Sequence, residues 1–134
     1  MSWAALITWI VTAGGGFVLF GIWLKNGGME QRDRGRIRPA LLLTHLLLAA
    51  TGLVLWIVYV ASDSSALAWI AFVLLLVVAL IGFGMFGIWA SQRRRSDHDP
   101  AEQRFPVAVV GLHGIVAATT LVLVLLAAAG VGGS

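Results

Sequence analysis

Long apolar runs separated by short polar stretches set the plan of this chain. Four predominantly apolar runs, at roughly 2–24, 39–61, 66–90 and 106–130, are each more than twenty residues long and contain no Asp, Glu, Lys or Arg. At about 1.5 Å per residue, runs of that length cross a hydrocarbon core of about 30 Å as helices. Pro39 opens the second run and Pro106 the fourth, at positions where the missing N–H is harmless and the fixed φ suits a first turn. The stretch Ser62-Asp63-Ser64-Ser65 is a tight polar turn, which makes spans two and three antiparallel neighbours. The pattern predicts an all-α integral membrane four-helix bundle, a single transmembrane domain over residues 1–134 with no soluble part.

Composition sharpens this. The 134 residues are 60% hydrophobic and 11% charged, with a mean hydropathy of +0.95, far from the soluble average. No Lys or Arg precedes Lys25, so the first span lacks the basic start of a secretory leader and reads as a retained helix. Cysteine is absent, which removes disulfides, thiolate ligands, iron–sulfur clusters and covalent haem attachment together.

The formal +3 charge acquires meaning from its placement. Lys25, Arg32, Arg34, Arg36 and Arg38 fall between spans one and two; Arg93, Arg94, Arg95 and Arg104 fall between spans three and four. The positive-inside rule puts both loops in the cytoplasm of a bacterial-type plasma membrane, with both termini and Asp63 outside. The charge is a topology signal. It leaves the lipid bilayer, including its anionic head groups, as the partner and excludes nucleic acid. Trp23, Trp56, Tyr59 and Trp69 fall where aromatic belts are expected.

The chain also repeats itself. Counted over eleven positions from His45 and from His113, seven are identical: the histidine, Ala-Ala-Thr at +4 to +6, and Leu-Val-Leu at +8 to +10. Gly16 to Trp23 and Gly82 to Trp89 agree at six of eight positions. The repeat is a two-span hairpin, 1–61 and 66–130, used twice in tandem. Two spans per copy keep both copies in one orientation, which predicts a pseudo-twofold axis along the membrane normal.

Two ionisable side chains at equivalent places inside apolar helices demand an explanation. His45 is six residues past Pro39 and His113 seven past Pro106, about 9 and 10.5 Å into helices that both start at the cytoplasmic side. Imidazoles at equal depth across a twofold axis have the geometry of a six-coordinate haem iron. Ala49 and Ala117 at +4, with Gly52 and Thr120 at +7, keep the face below each histidine small. Gly111 and Gly114 flank His113. Phe17, Phe20, Phe83 and Phe86 on spans one and three could pack on a macrocycle, and the glycines beside them also suit close helix packing. Arg36, Arg38 and Arg104 stand at the cytoplasmic mouth, where propionates would emerge. The plain alternative is a hydrogen bond from each histidine to a neighbouring helix, with Thr44, Thr51, Thr119 and Thr120 available, worth about 0.6 kcal/mol. A bare divalent ion is poorly served by two imidazoles without a carboxylate.

In this layout the chain resembles the bis-histidine core of cytochrome b561-like proteins and the anchor subunits of respiratory complexes. It is also similar to a group of bacterial four-span proteins with a Pro-then-His motif on spans two and four. The resemblance implies a b-type cytochrome with His45 and His113 as axial ligands. It departs from two-haem cytochromes in having one histidine pair; His98, in the loop between Asp97 and Asp99, cannot supply a second.

Three functions follow as expectations. The first is an electron carrier rather than an enzyme, with one haem b exchanging electrons with a quinone or a partner subunit. A chlorin ligated singly by each histidine is the alternative cofactor. The second is an accessory or structural subunit of a larger respiratory or photosynthetic complex, or a homodimer, with no cofactor. The third is a transporter, disfavoured because no Asp, Glu, Lys or Arg lies within a span.

Overall fold

Each apolar run becomes one helix. In a computed structural model, which describes residues 1–31, 37–94 and 100–132, the helices are α1 (Ser2–Lys25), α2 (Pro39–Ser62), α3 (Ser65–Gln92) and α4 (Val107–Ala128). Single 3-10 turns at Gly28–Glu30 and Ala101–Arg104 stand in the two longer connections. Pro39 is the first residue of α2 and Pro106 the cap before α4, as their missing N–H groups require. Between α2 and α3 only Asp63 and Ser64 remain outside helix, and Asp63 closes α2 with a left-handed φ of 56°, a conformation Asp tolerates better than most residues. All four helices are long and apolar enough to cross a membrane.

The helices run alternately up and down in a ring. The two most extensive contacts are α2 with α3 and α1 with α4; α3 packs less extensively on α4, and α1 least on α2. The bundle is thus two tight pairs, each made of one glycine-bearing helix and one histidine helix, laid side by side. Its outer faces are apolar, with Leu47, Leu80, Leu112 and Ile115 each more than 60% exposed.

Buried side chains form two separate clusters. Near Asp63 and the termini, Trp9, Trp56 and Tyr59 pack among Ala5, Leu6, Ala68, Ala71, Leu75, Val78, Val124 and Ala127. The Trp56 indole donates to the Ser2 carbonyl at 3.2 Å. Trp56 and Tyr59, and Trp23 at the far end, turn inward where the sequence suggests a belt facing lipid. The small residues opposite them leave room for the rings, and in lipid such close packing, not exclusion of water, holds helices together. Trp69 alone of those four stays substantially exposed.

At the other end Trp23, Ile37, Leu42, Trp89, Ala101 and Phe105 form the second cluster. A polar knot organises it. Glu102 is fully buried and accepts from the Ile37 backbone N–H at 2.7 Å, from Gln31 Nε2 at 2.9 Å and from Gln92 Nε2 at 2.9 Å. Gln31 Oε1 in turn accepts from the Ala101 N–H at 2.8 Å. Burying a carboxylate is costly unless its oxygens are satisfied, and these neutral donors satisfy it. The knot ties one connection to the other and fixes where α2 and α4 begin.

Candidate functional site

The two histidines sit in the layer between the two clusters. His45 Nδ1 is 3.0 Å from the Val78 carbonyl of α3, and His113 Nδ1 is 3.0 Å from the Thr12 carbonyl of α1. A carbonyl can only accept, so Nδ1 carries the proton and donates, which leaves Nε2 of each ring with a free lone pair. This is how metal-ligating histidines are usually held, the far nitrogen bonded to a backbone carbonyl and the near one turned to the metal.

The reason these carbonyls are reachable lies four residues on. In a helix the carbonyl of residue i accepts from residue i+4, here Gly82 above Val78 and Gly16 above Thr12. A Cβ on Gly82 would stand 3.1 Å from His45 Cε1, and one on Gly16 would stand 3.1 Å from His113 Cε1. Each glycine is therefore a seat for an imidazole from the neighbouring helix. The two seats are built alike, with Val78 and Gly82 lying 66 residues after Thr12 and Gly16. The sequence marks these glycines as places of close approach; that the guest is the histidine itself needed the pairing of α2 with α3 and α4 with α1.

Burial around the rings is partial. Among the described residues no side chain is fully buried between positions 10 and 22 of α1, 43 and 51 of α2, 79 and 88 of α3, or 107 and 119 of α4. One ring stands on each tight helix pair.

The other sequence-predicted residues divide. Ala49 and Ala117 are half-buried one turn from their histidines, and Gly114 is half-buried with open space where a side chain would stand. Gly111 is exposed on the outside of α4. At +7 α1 has moved in: a Cβ on Gly52 would meet the Trp9 ring at 3.0 Å, and Thr120 shares a hydrogen bond of 3.2 Å with Thr12. Phe17, Phe83 and Phe86 point outward, each more than half exposed, while Phe20 is half-buried against the Trp23 cluster. The threonines bond their own helices: Thr44, Thr51 and Thr119 each donate to the carbonyl four residues back. None serves a histidine. Arg38 and Arg104 are exposed at the end of the bundle nearer the histidines along α2 and α4, while Arg36 and His98 lie outside the described residues.

Among the described residues two polar atoms in this region lack partners. The indole nitrogens of Trp23 and Trp89 are buried and make no hydrogen bond, which costs about 1–3 kcal/mol for each. Among the described residues no group of three or more His, Cys, Asp or Glu side chains is placed to hold a bare metal ion. Comparison with known proteins found no matching family model, no matching curated protein and no matching solved structure.

Proposed function

We propose that this chain is a small b-type membrane cytochrome. It spans the bilayer four times, with both termini outside and both basic connections in the cytoplasm. His45 and His113 ligate one haem b through their Nε2 atoms, and the protein exchanges electrons with quinol or a partner subunit. The carrying observation is that each imidazole donates its Nδ1–H to a carbonyl 3.0 Å away in an equivalent glycine seat, so both rings offer a fixed lone pair. When bound, the haem supplies a one-electron redox centre.

The protein's own residues do the rest. The Val78 and Thr12 carbonyls set the tautomer and the ring orientation and raise the basicity of Nε2. Gly16 and Gly82 let the rings approach those carbonyls. A planar group would sit between the two helix pairs, in the layer where no side chain is fully buried, and the apolar shell would keep its surroundings dry. The equivalence of the seats supports a pseudo-twofold axis that exchanges hairpins 1–61 and 66–130. A centre about 9–10.5 Å from the start of α2 and α4 leaves about 20 Å of a 30 Å core uncovered, so this chain serves one side of the membrane and does not wire the whole of it.

A chlorin at each histidine fits less well, since both rings share one layer. An accessory-subunit role accounts for the Nδ1 hydrogen bonds but gives no reason for two lone pairs held in equivalent seats. Purification of the full chain with haem supplied tests the proposal. A sharp low-spin α-band on reduction, with about one haem per chain, is expected. A colourless protein that co-purifies with larger partners would transfer the case to the accessory subunit.

A further inference from the structure

The orphaned indoles stand in a fixed relation to the histidine seats. Trp23 is seven residues beyond Gly16 and Trp89 seven beyond Gly82. Positions i and i+7 share a helix face, and seven residues rise about 10.5 Å. On α1 and on α3, the face that seats an imidazole therefore carries, two turns nearer the basic connections, a buried N–H without an acceptor among the described residues. That separation is comparable to the reach from the centre of a porphyrin to its carboxylate arms.

The burial of these groups makes the missing partner informative. Trp23 is fully buried and Trp89 nearly so, both in one apolar cluster with Ile37, Leu42, Ala101 and Phe105. Trp23 stacks on Phe20 at 6.2 Å and lies against Gly28, and Trp89 packs on Phe86 at 5.7 Å. The neighbouring amides are already engaged: Gln31 with Glu102, Ile37 and Ala101, and Gln103 with Gln92 and the Trp89 carbonyl. An indole N–H can only donate, so whatever completes the pair must bring acceptors, one for each helix pair.

We infer that the Trp23 and Trp89 indole N–H groups are the donors that receive the two carboxylate arms of the bound macrocycle, in preference to the exposed Arg38 and Arg104. The inference rests on the haem reading above and assigns the orientation of the group: arms toward the basic connections, one to α1 and one to α3. Two buried neutral donors select for an acceptor by hydrogen bonding, and the Arg93 guanidinium, 5.2 Å over the Trp89 ring, adds a positive charge on that side. An arginine pair in solvent would select by charge and would weaken with salt.

The test uses the full chain in detergent and compares haem with haem dimethyl ester, whose arms carry no charge and accept weakly. Trp23→Phe and Trp89→Phe keep a ring in place and remove only the N–H. The wild type should bind haem more tightly than the ester. Each Phe variant should lose about tenfold in haem affinity and nothing in ester affinity. A second measurement needs no variant: the two indole ¹H–¹⁵N resonances should shift on binding diamagnetic gallium(III) protoporphyrin and stay in place with its dimethyl ester. Equal losses for both porphyrins, or no loss for either, would overturn the inference and leave the haem reading standing. A wild type that binds neither porphyrin removes both.

Discussion

Gly82→Ala sets two effects of similar size against each other, and the structure says how they divide. The new methyl carbon would stand 3.1 Å from His45 Cε1, whereas carbon–carbon contacts are comfortable from about 3.5 Å. The ring must retreat by about 0.4 Å. Its hydrogen bond to Val78, now 3.0 Å, then moves toward about 3.4 Å, outside the useful range. A polar contact between membrane helices is worth about 0.6 kcal/mol. Replacing a helical glycine by alanine returns up to about 1 kcal/mol. The stability of the apoprotein should therefore change by less than about 1 kcal/mol, in either direction. The ligand should feel the change instead, because a ring that loses the group fixing its tautomer typically loses about tenfold or more in affinity for a metal. Gly16→Ala should behave the same way toward His113. Gly21→Ala and Gly84→Ala, with nothing within 4 Å of the added carbon, are the controls and should leave affinity unchanged. Thermal unfolding reads the first quantity, haem titration the second, and imidazole ¹⁵N shifts report the tautomer. Wild-type haem affinity in both seat variants would refute the reasoning.

Other predictions test separate parts of the account. Cysteines placed at Asp63 and at Asn26 should label from opposite sides of intact cells, Asp63 from outside; labelling of both from one side would contradict the topology. Ala49→Leu and Ala117→Leu should lower haem content while membrane insertion proceeds normally, since the added side chain fills space near the rings but stays apolar; full haem content in both would show that this face is not used. Glu102→Ala leaves the donors of Ile37, Gln31 and Gln92 without their acceptor and should destabilise the bundle by about 3 kcal/mol or more, read by detergent-denaturation midpoints. A shift below about 0.5 kcal/mol would mean that the two connections are not held by this knot.

The four helices were legible because bilayer-length apolar runs, two prolines and one short polar turn leave little choice of element. The repeat rests on the sequence, where Gly, Trp, Pro and His landmarks recur in order. Side-chain direction was harder. Most positions in these spans are apolar, so the one-sided pattern that tells inside from outside in a soluble helix is missing. Hence Trp56 and Tyr59 read as a belt yet turn inward, and Phe83 reads as a wall of the site yet faces out. The Glu102 knot was hidden because a carboxylate in a charged connection looks solvated. Its signal was the three glutamines of the chain, Gln31 and Gln103 in the two connections and Gln92 at the last position of α3. Gly52, expected to keep its face open, shows the remaining limit: a small residue marks a close approach without naming the guest, and here the guest is Trp9.

The central claim is that His45 and His113 together ligate one haem, and the reduced absorbance spectrum of three purified proteins addresses it most directly. The wild type should show a low-spin α-band with about one haem per chain. His45→Ala and His113→Ala should each turn high-spin or lose the haem, because each imidazole fills one axial position. Wild-type spectra and haem content in both single variants would contradict the account.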